Sequence, residues 1–98
     1  MLNILNRQQS QDERFEAISD WWIDLAADIE EDELDASDEA AQQFANLSGR
    51  LYGQRFSQKS ITTFFETVDE IQRQAKTLSY GEITVQLRDA IVQLLAGR

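Results

Sequence analysis

The sequence has no cysteine, no histidine and no proline, and only four glycines among its 98 residues. Without cysteine there is neither a disulfide nor thiolate chemistry, and without histidine most nucleophile and general-base arrangements of enzymes are excluded. Because proline is absent and glycine is scarce, long helices joined by short turns are expected. Apolar runs span only a few residues, so we predict neither a membrane span nor a signal peptide and expect a cytoplasmic protein.

The length and the composition fit one folded domain. With 98 residues, 42% of them hydrophobic, the chain can bury one core but is too short for two. No stretch alternates polar and apolar residues for long enough to indicate a strand, whereas four segments have the helical period. We therefore predict a single all-α domain over residues 1–98. Short connections make neighbouring helices antiparallel, which favours an up-down-up-down four-helix bundle.

The first predicted helix runs from about Asp12 to Glu30 or Glu31. Its apolar residues recur three or four positions apart and therefore share one face. These residues are Phe15, Ile18, Trp22, Leu25 and Ile29. Trp21 stands beside this stripe, where it either covers the edge of the core or contacts a partner, including a second copy of the chain. Residues 1–11 precede the stripe, and we expect them to form a mobile N-terminal arm.

A second and a third helix are predicted from residues typical of helix ends. The second starts near Asp38 with Ser37 as its N-cap and ends near Tyr52, because Gly53 favours a helix end. Its inward residues are Ala40, Phe44, Leu47 and Leu51. The third opens around Ser60, with Thr63 and Glu66 in capping-box spacing as one possible start. Its apolar face consists of Ile61, Phe64, Phe65, Val68, Ile71, Ala75 and Leu78.

The fourth predicted helix begins at Ser79-Tyr80-Gly81-Glu82, which has the S-x-x-E pattern of a capping box. It stops at Gly97, a residue type that favours a helix end. Its inward residues are Ile83, Leu87, Ala90, Ile91, Leu94 and Leu95. This helix therefore combines a clear start, one apolar face and a clear end.

Negative charge is concentrated in the first part of the chain. Residues 1–39 carry a net charge of −11, whereas residues 40–98 carry +2. Six carboxylates recur at every fourth position, and no Lys or Arg stands four residues after any of them. They are Asp12, Glu16, Asp20, Asp24, Asp28 and Asp32. Like charges at this spacing destabilise a helix by about 0.2–0.5 kcal/mol per pair. Either strong packing elsewhere compensates this repulsion, or the row is needed to bind a partner.

The acidic residues predict neither catalysis nor a metal centre. The repeated carboxylates face away from the apolar stripe, whereas carboxyl pairs that act as general acid and base need burial. Residues 30–35 hold five acids in six positions but lack the central glycine of an EF-hand loop. A di-metal bundle would need Glu-x-x-His pairs, which a chain without histidine cannot supply. We therefore predict a non-enzymatic protein without a cofactor or a specific metal site.

The same acidic row suggests one binding function. Acids spaced along a rigid helix can imitate the phosphates of DNA and occupy a basic groove of a partner protein. The residues expected to form this acidic face are Glu16, Asp20, Asp24 and Asp28. A solvated helix surface without a partner is the alternative interpretation. The net charge of −9 argues against direct binding of nucleic acid by the chain itself.

The size of the chain, the order of its four helices and one segment between the last two carry a resemblance to a known family. In that segment the long third helix passes through Leu78-Ser79-Tyr80-Gly81-Glu82 into a final amphipathic helix. From about Phe15 to Ala96 the chain resembles the small immunity proteins that protect lactic acid bacteria and their relatives from pediocin-like (class IIa) bacteriocins, of the enterocin A immunity type. No catalytic or ligand motif defines these proteins.

The resemblance implies a cytosolic antiparallel bundle that acts on a membrane receptor. Such proteins block the killing complex formed by the bacteriocin and its receptor, the membrane part of the mannose phosphotransferase system. Their specificity is attributed to the C-terminal half. In this sequence the surface side chains expected there, and therefore the residues expected to contact the partner, include Arg73, Lys76, Tyr80 and Arg88.

Overall fold

The computed structural model describes residues 2–28 and 38–97, with side chains described for residues 10–27 and 39–97. These ranges contain four helices and no strand, which confirms the predicted all-α class. The helices are α1 (Leu2–Asp28), α2 (Asp38–Gly49), α3 (Gln58–Gln74) and α4 (Tyr80–Ala96). The predicted acidic turn, the Ser37 cap and the predicted end of the first helix lie outside the described residues.

Helix α1 begins earlier than predicted. Its first residue is Leu2, ten positions before the predicted start at Asp12. Residues 2–11 contain neither glycine nor proline and are rich in leucine and glutamine, which are good helix formers, so the helix continues through the segment predicted as an arm. The predicted mobility of this segment remains a prediction.

The connection between α2 and α3 also differs from its prediction. Helix α2 ends at Gly49, three residues before Tyr52, and the chain then turns through Gly53. Gly53 has φ of 75°, a conformation that glycine adopts without steric cost. Helix α3 starts at Gln58, two residues before the predicted Ser60, because Ser57 is the N-cap and its hydroxyl accepts a hydrogen bond from the Ser60 N–H at 3.1 Å.

Both ends of α4 are as predicted. The Ser79 hydroxyl accepts from the Glu82 N–H at 3.1 Å, and the Glu82 carboxylate accepts from the Ser79 N–H at 3.4 Å, which completes the capping box. At the other end, the Gly97 N–H donates to the carbonyl of Gln93 at 3.0 Å. These bonds satisfy backbone groups that a helix end leaves without partners.

The predicted apolar stripes meet in one core. Its buried members are Phe15, Ile18, Phe44, Leu51, Ile61, Phe64, Phe65, Val68, Ile71, Ile83, Leu87, Ala90, Ile91 and Leu94. Trp22, Leu25, Leu47 and Leu95 pack against this cluster and are partly buried. Trp21 does the same, which confirms that it lies at the edge of the core.

Phe15 connects α1 with α3 and with the loop before it. The Phe15 side chain is 1% exposed. Its ring lies 5.7–6.3 Å, centre to centre, from four other aromatic rings. These rings belong to Tyr52, Phe56, Phe64 and Phe65. Aromatic pairs at such separations contribute beyond the area they bury, so this cluster fixes the middle of α1 on the bundle.

Trp22 joins α1 to α2 and α4. Its ring stacks on Tyr80 at 5.6 Å and tilts over Phe44 at 4.8 Å. The Trp22 indole N–H donates to the Thr84 hydroxyl at 2.7 Å, and that hydroxyl donates to the Tyr80 carbonyl at 2.9 Å. Thr84 has no exposed surface, so its hydroxyl satisfies the indole without requiring water.

The four helices form one helical bundle. Helix α4 makes its most extensive backbone contacts with α2 and α3, and α1 lies against α2 and α4. The bundle measures 50 × 23 × 23 Å. None of the helices in the described part of the chain combines the length and the apolar character that a membrane crossing requires.

Replacing Thr84 with valine tests the junction between Trp22 and α4. Valine keeps the shape of threonine but leaves the Trp22 indole N–H without its acceptor. We expect the free energy of unfolding, measured in urea by circular dichroism, to fall by about 1–3 kcal/mol. Thr63→Val on the exposed side of α3 is the matched control and should change it little. Equal losses in the two variants would contradict the assigned role of this hydrogen bond.

Candidate functional site

The predicted acidic face lies on the surface of α1. Glu16, Asp20 and Asp24 are all exposed. The ion pairs found in the described part of the chain join Arg73 to Glu70 and Arg88 to Asp89, so neither involves this face. Successive members are one helical turn apart, about 6 Å along the axis. The side chain of Asp28, the fourth predicted member, lies outside the described side chains.

The first carboxylate of the row has a different environment from the next three. The Asp12 carboxylate accepts a hydrogen bond from the Gly53 N–H at 3.2 Å. One residue earlier, the Gln11 side chain donates to the carbonyl of Gln54 at 3.0 Å. These bonds fasten the loop after α2 to α1. Asp12 therefore has a structural role, and the exposed part of the row begins at Glu16.

Tyr52 borders the acidic face. It is 41% exposed, its ring meets Phe15 edge-on, and its hydroxyl lies near the Ser19 side chain. Partial burial raises the pKa of the Tyr52 phenol above its usual value, and the nearby carboxylates of Glu16 and Asp20 raise that pKa further. The pKa of Tyr52 therefore depends first on burial and in part on the carboxylates of this face.

Ile23 is a surface residue that is absent from the predicted sites. Its side chain is 55% exposed, although isoleucine is among the most frequently buried residue types. It stands three residues after Asp20 and directly before Asp24, away from the stripe that contains Trp22. An isoleucine on the polar face of an amphipathic helix was the sequence signal for this position.

The four residues predicted as a C-terminal recognition surface have different environments. Arg73 and Lys76 are exposed, and Arg73 forms an ion pair with Glu70 on its own helix. The side chain of Arg88 is only 28% exposed, and its guanidinium donates to Asp89 at 3.1 Å and to Gln43 of α2 at 3.0 Å. Arg73 and Lys76 are thus available on the surface, whereas Arg88 partly serves packing between α4 and α2.

The predicted surface position of Tyr80 is wrong. Tyr80 is 7% exposed, and its ring is stacked on Trp22. It stands three residues before Ile83 and seven before Leu87, so the helical spacing places it on the buried face of α4. Burial raises the pKa of the Tyr80 phenol. Tyr80 can influence a surface only through the residues that pack on it.

Two adjacent grooves lie along α3. One, of about 190 Å³, is lined by residues of α3 and α4 that include Ser60, Thr63 and Gln93. The other, of about 420 Å³, is lined by Glu66, Arg73 and Gln86 among others. Within the residues whose side chains are described, no group of three or more carboxylates is placed to hold a metal ion. Both grooves offer hydroxyl and amide groups, and the larger one also offers the charged side chains of Glu66 and Arg73.

Titration of Tyr52 tests its proximity to the acidic face. In a Tyr80→Phe variant Tyr52 is the remaining tyrosine of the two in the chain, so absorbance follows its phenol alone. We expect its pKa to lie above the usual 10.0, and the added substitutions Glu16→Gln and Asp20→Asn to lower it. Because folding raises this pKa, the associated stability is complete below the unfolded value and is lost as the pH rises through the folded-state pKa.

The control for this titration removes two carboxylates elsewhere. Glu66→Gln with Asp69→Asn removes the same charge from the exposed surface of α3 and should leave the Tyr52 titration almost unchanged. Equal shifts in both charge variants would mean that net charge, rather than the neighbouring α1 carboxylates, determines the titration of Tyr52.

Comparisons with protein-family models, with curated proteins and with solved structures found no match to this chain. What the protein does is therefore inferred from its own residues, their surroundings and the pattern that its helices form.

Proposed function

We propose that this chain is a non-enzymatic bacteriocin immunity protein that acts in the cytoplasm. It would protect the cell by blocking the complex between a pediocin-like bacteriocin and its membrane receptor. The observation that carries this proposal is the passage from α3 to α4. There a short connection ends in the complete Ser79–Glu82 capping box and leads into an amphipathic helix, as the resemblance implies. The order of four helices around one core also agrees with it.

The proposal includes an up-down-up-down arrangement of the helices. Contacts between α1 and the α2 region support it, because residue numbers rise along one element as they fall along the other. Ser19 bonds Ser48, and Trp22 contacts Phe44. For α3 and α4, Gly97 at the end of α4 lies beside Ser60 at the start of α3. This arrangement brings the end of α4 and the α2–α3 loop to one end of the bundle.

Recognition in this proposal falls to the exposed end of α3. Arg73 and Lys76 are accessible there, whereas Tyr80 is buried and Arg88 is engaged with Asp89 and Gln43. On a chain of net charge −9, these two exposed side chains place positive charge at this end of α3. The protein would occlude the receptor complex by contact alone, without chemistry or a cofactor.

Survival of a sensitive strain tests immunity directly. Cells that express the protein should survive one or two members of a panel of pediocin-like bacteriocins. In cells that express Arg73→Glu with Lys76→Glu, we expect the inhibitory concentration of the bacteriocin to fall by about tenfold. Reversing these charges places like charges together at a contact that was electrostatically complementary. Lys59→Glu, an exposed charge change at the start of α3, is the control and should protect like the wild type. Lack of protection by the wild type across a broad panel would contradict the proposal.

A second candidate function is inhibition of a partner protein through the acidic face of α1. The specific observation that favours it is the exposure of Glu16, Asp20 and Asp24 without an ion pair to any described Lys or Arg. Carboxylates kept in water at one-turn spacing can meet the basic groove of a partner without first breaking internal pairs. In this function the protein would occupy a groove built for phosphates, as an antitoxin or DNA mimic does.

A charge swap separates the two candidates. Asp20→Lys with Asp24→Lys should abolish capture of a basic partner from a cell lysate but leave immunity nearly intact. Glu66→Lys with Asp69→Lys makes the same charge change on exposed positions of α3 and should retain the captured partner. Wild-type capture should be lost between low and high salt, because exposed charges are screened. Capture by the Asp20 and Asp24 variant would exclude inhibition through the acidic face.

A further inference from the structure

Three large hydrophobic side chains in the described part of the chain are exposed. They are Ile23 at 55%, Tyr52 at 41% and Val92 at 47%. Single exposed apolar residues are common and need no explanation. Ile23 and Tyr52, however, both stand at α1, Ile23 on the helix itself and Tyr52 against its Phe15 ring, whereas Val92 belongs to α4.

The positions of Ile23 and Tyr52 follow from their common neighbour, Ser19. The Tyr52 hydroxyl lies near the Ser19 side chain, and Ile23 stands four residues after Ser19, one turn further along the same face of α1. Beneath Tyr52 lies the buried ring of Phe15, and the Ser19 hydroxyl also bonds to Ser48 of α2 at 2.8 Å. Ile23 on α1 and Tyr52 in the loop after α2 therefore both belong to segments that contacts with the core hold in place.

Carboxylates surround this pair. Glu16 and Asp20 lie near enough to Tyr52 to raise its pKa, and Asp20 and Asp24 flank Ile23 along the helix. None of Glu16, Asp20 and Asp24 has an ion pair with a described Lys or Arg. A partner that covers the apolar pair must therefore bring positive charge to the same surface. A second copy of this chain would instead bring like charges together.

We propose that Ile23 and Tyr52 form the apolar centre of a binding surface for a basic amphipathic helix of another protein. Apolar side chains at i and i+4 of that helix contact Ile23 and Tyr52, and the Lys or Arg residues beside them pair with Glu16, Asp20 and Asp24. Ile23 stands one turn beyond Ser19, the α1 residue beside Tyr52, which matches the spacing of apolar residues on a helix. This inference rests on the acidic-face function and names the class of partner; it does not depend on immunity.

The apolar centre also distinguishes this surface from a purely electrostatic one. Contacts between charges lose strength as salt is added, whereas burial of apolar area does not. Binding through Ile23 should therefore persist in part at a salt concentration that removes binding through charge alone. It should also discriminate between cationic partners of equal charge.

Two synthetic peptides test the inference. Both have eighteen residues and equal lysine content; one carries leucine at i, i+3, i+4 and i+7 positions, and the other carries serine at those positions. Affinity is measured by fluorescence anisotropy of the labelled peptide against the full chain at low and high salt. We expect the wild type to bind the leucine peptide more tightly and to retain part of this binding at high salt.

Variants assign the preference to residues. Ile23→Ser should lower the affinity for the leucine peptide by about five- to tenfold, the order expected for an apolar interface contact. Its affinity for the serine peptide should be unchanged. Val92→Ser, a similarly exposed apolar residue on α4, should match the wild type with both peptides. Circular dichroism and thermal melting establish that each variant is folded, which is expected because both positions are exposed.

The outcomes separate the two levels of the proposal. If Ile23→Ser binds both peptides as the wild type does, the proposed apolar centre is wrong. This holds even if Asp20→Lys with Asp24→Lys abolishes binding, a result that would support the acidic face alone. If that charge variant binds both peptides unchanged, the acidic-face function itself fails. If sedimentation shows that the wild type is a dimer and Ile23→Ser a monomer, the surface is covered by a second copy and the inference is overturned.

Discussion

Helix α1 is held on the bundle by two aromatic side chains, Phe15 and Trp22, and the surface of the protein depends on this attachment. The two residues are seven positions apart on one face, so each fixes a different level of the helix. Phe15 packs among four aromatic rings, and Trp22 combines stacking on Tyr80 with a hydrogen bond to Thr84. Attachment at two levels prevents α1 from rotating, so its carboxylates keep facing away from the core.

The same attachment explains how the helix tolerates its charge. The four carboxylate pairs between Asp12 and Asp28 destabilise an isolated helix by about 1–2 kcal/mol in total. Burying one large apolar side chain contributes about 1.5–3 kcal/mol, so the contacts of Phe15 and Trp22 together exceed the repulsion. The hydrogen bond from the Gly53 N–H to the Asp12 carboxylate further stabilises the negative charge at the first position of the carboxylate row. The helix can therefore carry the acidic face because the packing of Phe15 and Trp22 outweighs the repulsion between the carboxylates.

The two candidate functions use different elements of the bundle. Immunity places recognition at the end of α3, where Arg73 and Lys76 are exposed, whereas inhibition of a basic partner uses α1. Helix α4 lies against both α1 and α3 and therefore supports the two helices that carry these surfaces. Because the surfaces are on separate helices, substitutions on one should leave the other intact, since distant and independent sites behave additively.

The sequence by itself determined the helices, their buried faces and the start of α4, because these depend on spacing within one segment. The period of apolar residues identifies an inward face, and the Ser79–Glu82 capping box is a contact between residues three positions apart. The exact start of α3 was not determined in this way. The sequence predicted a start around Ser60, whereas in the structure Ser57 is the N-cap of α3.

Tertiary structure decided which side chains reach the surface and what surrounds them. Tyr80 is buried because Trp22, 58 positions earlier, stacks on it, and Arg88 is partly covered because Gln43 of another helix accepts its hydrogen bond. Tyr52 lies on α1, beside Phe15, because the loop after α2 is fastened to that helix. Such contacts join residues far apart in the chain, and helical period within one segment contains no information about them. Exposure on this protein is therefore a property of the assembled bundle, whereas helix formation is a property of each segment.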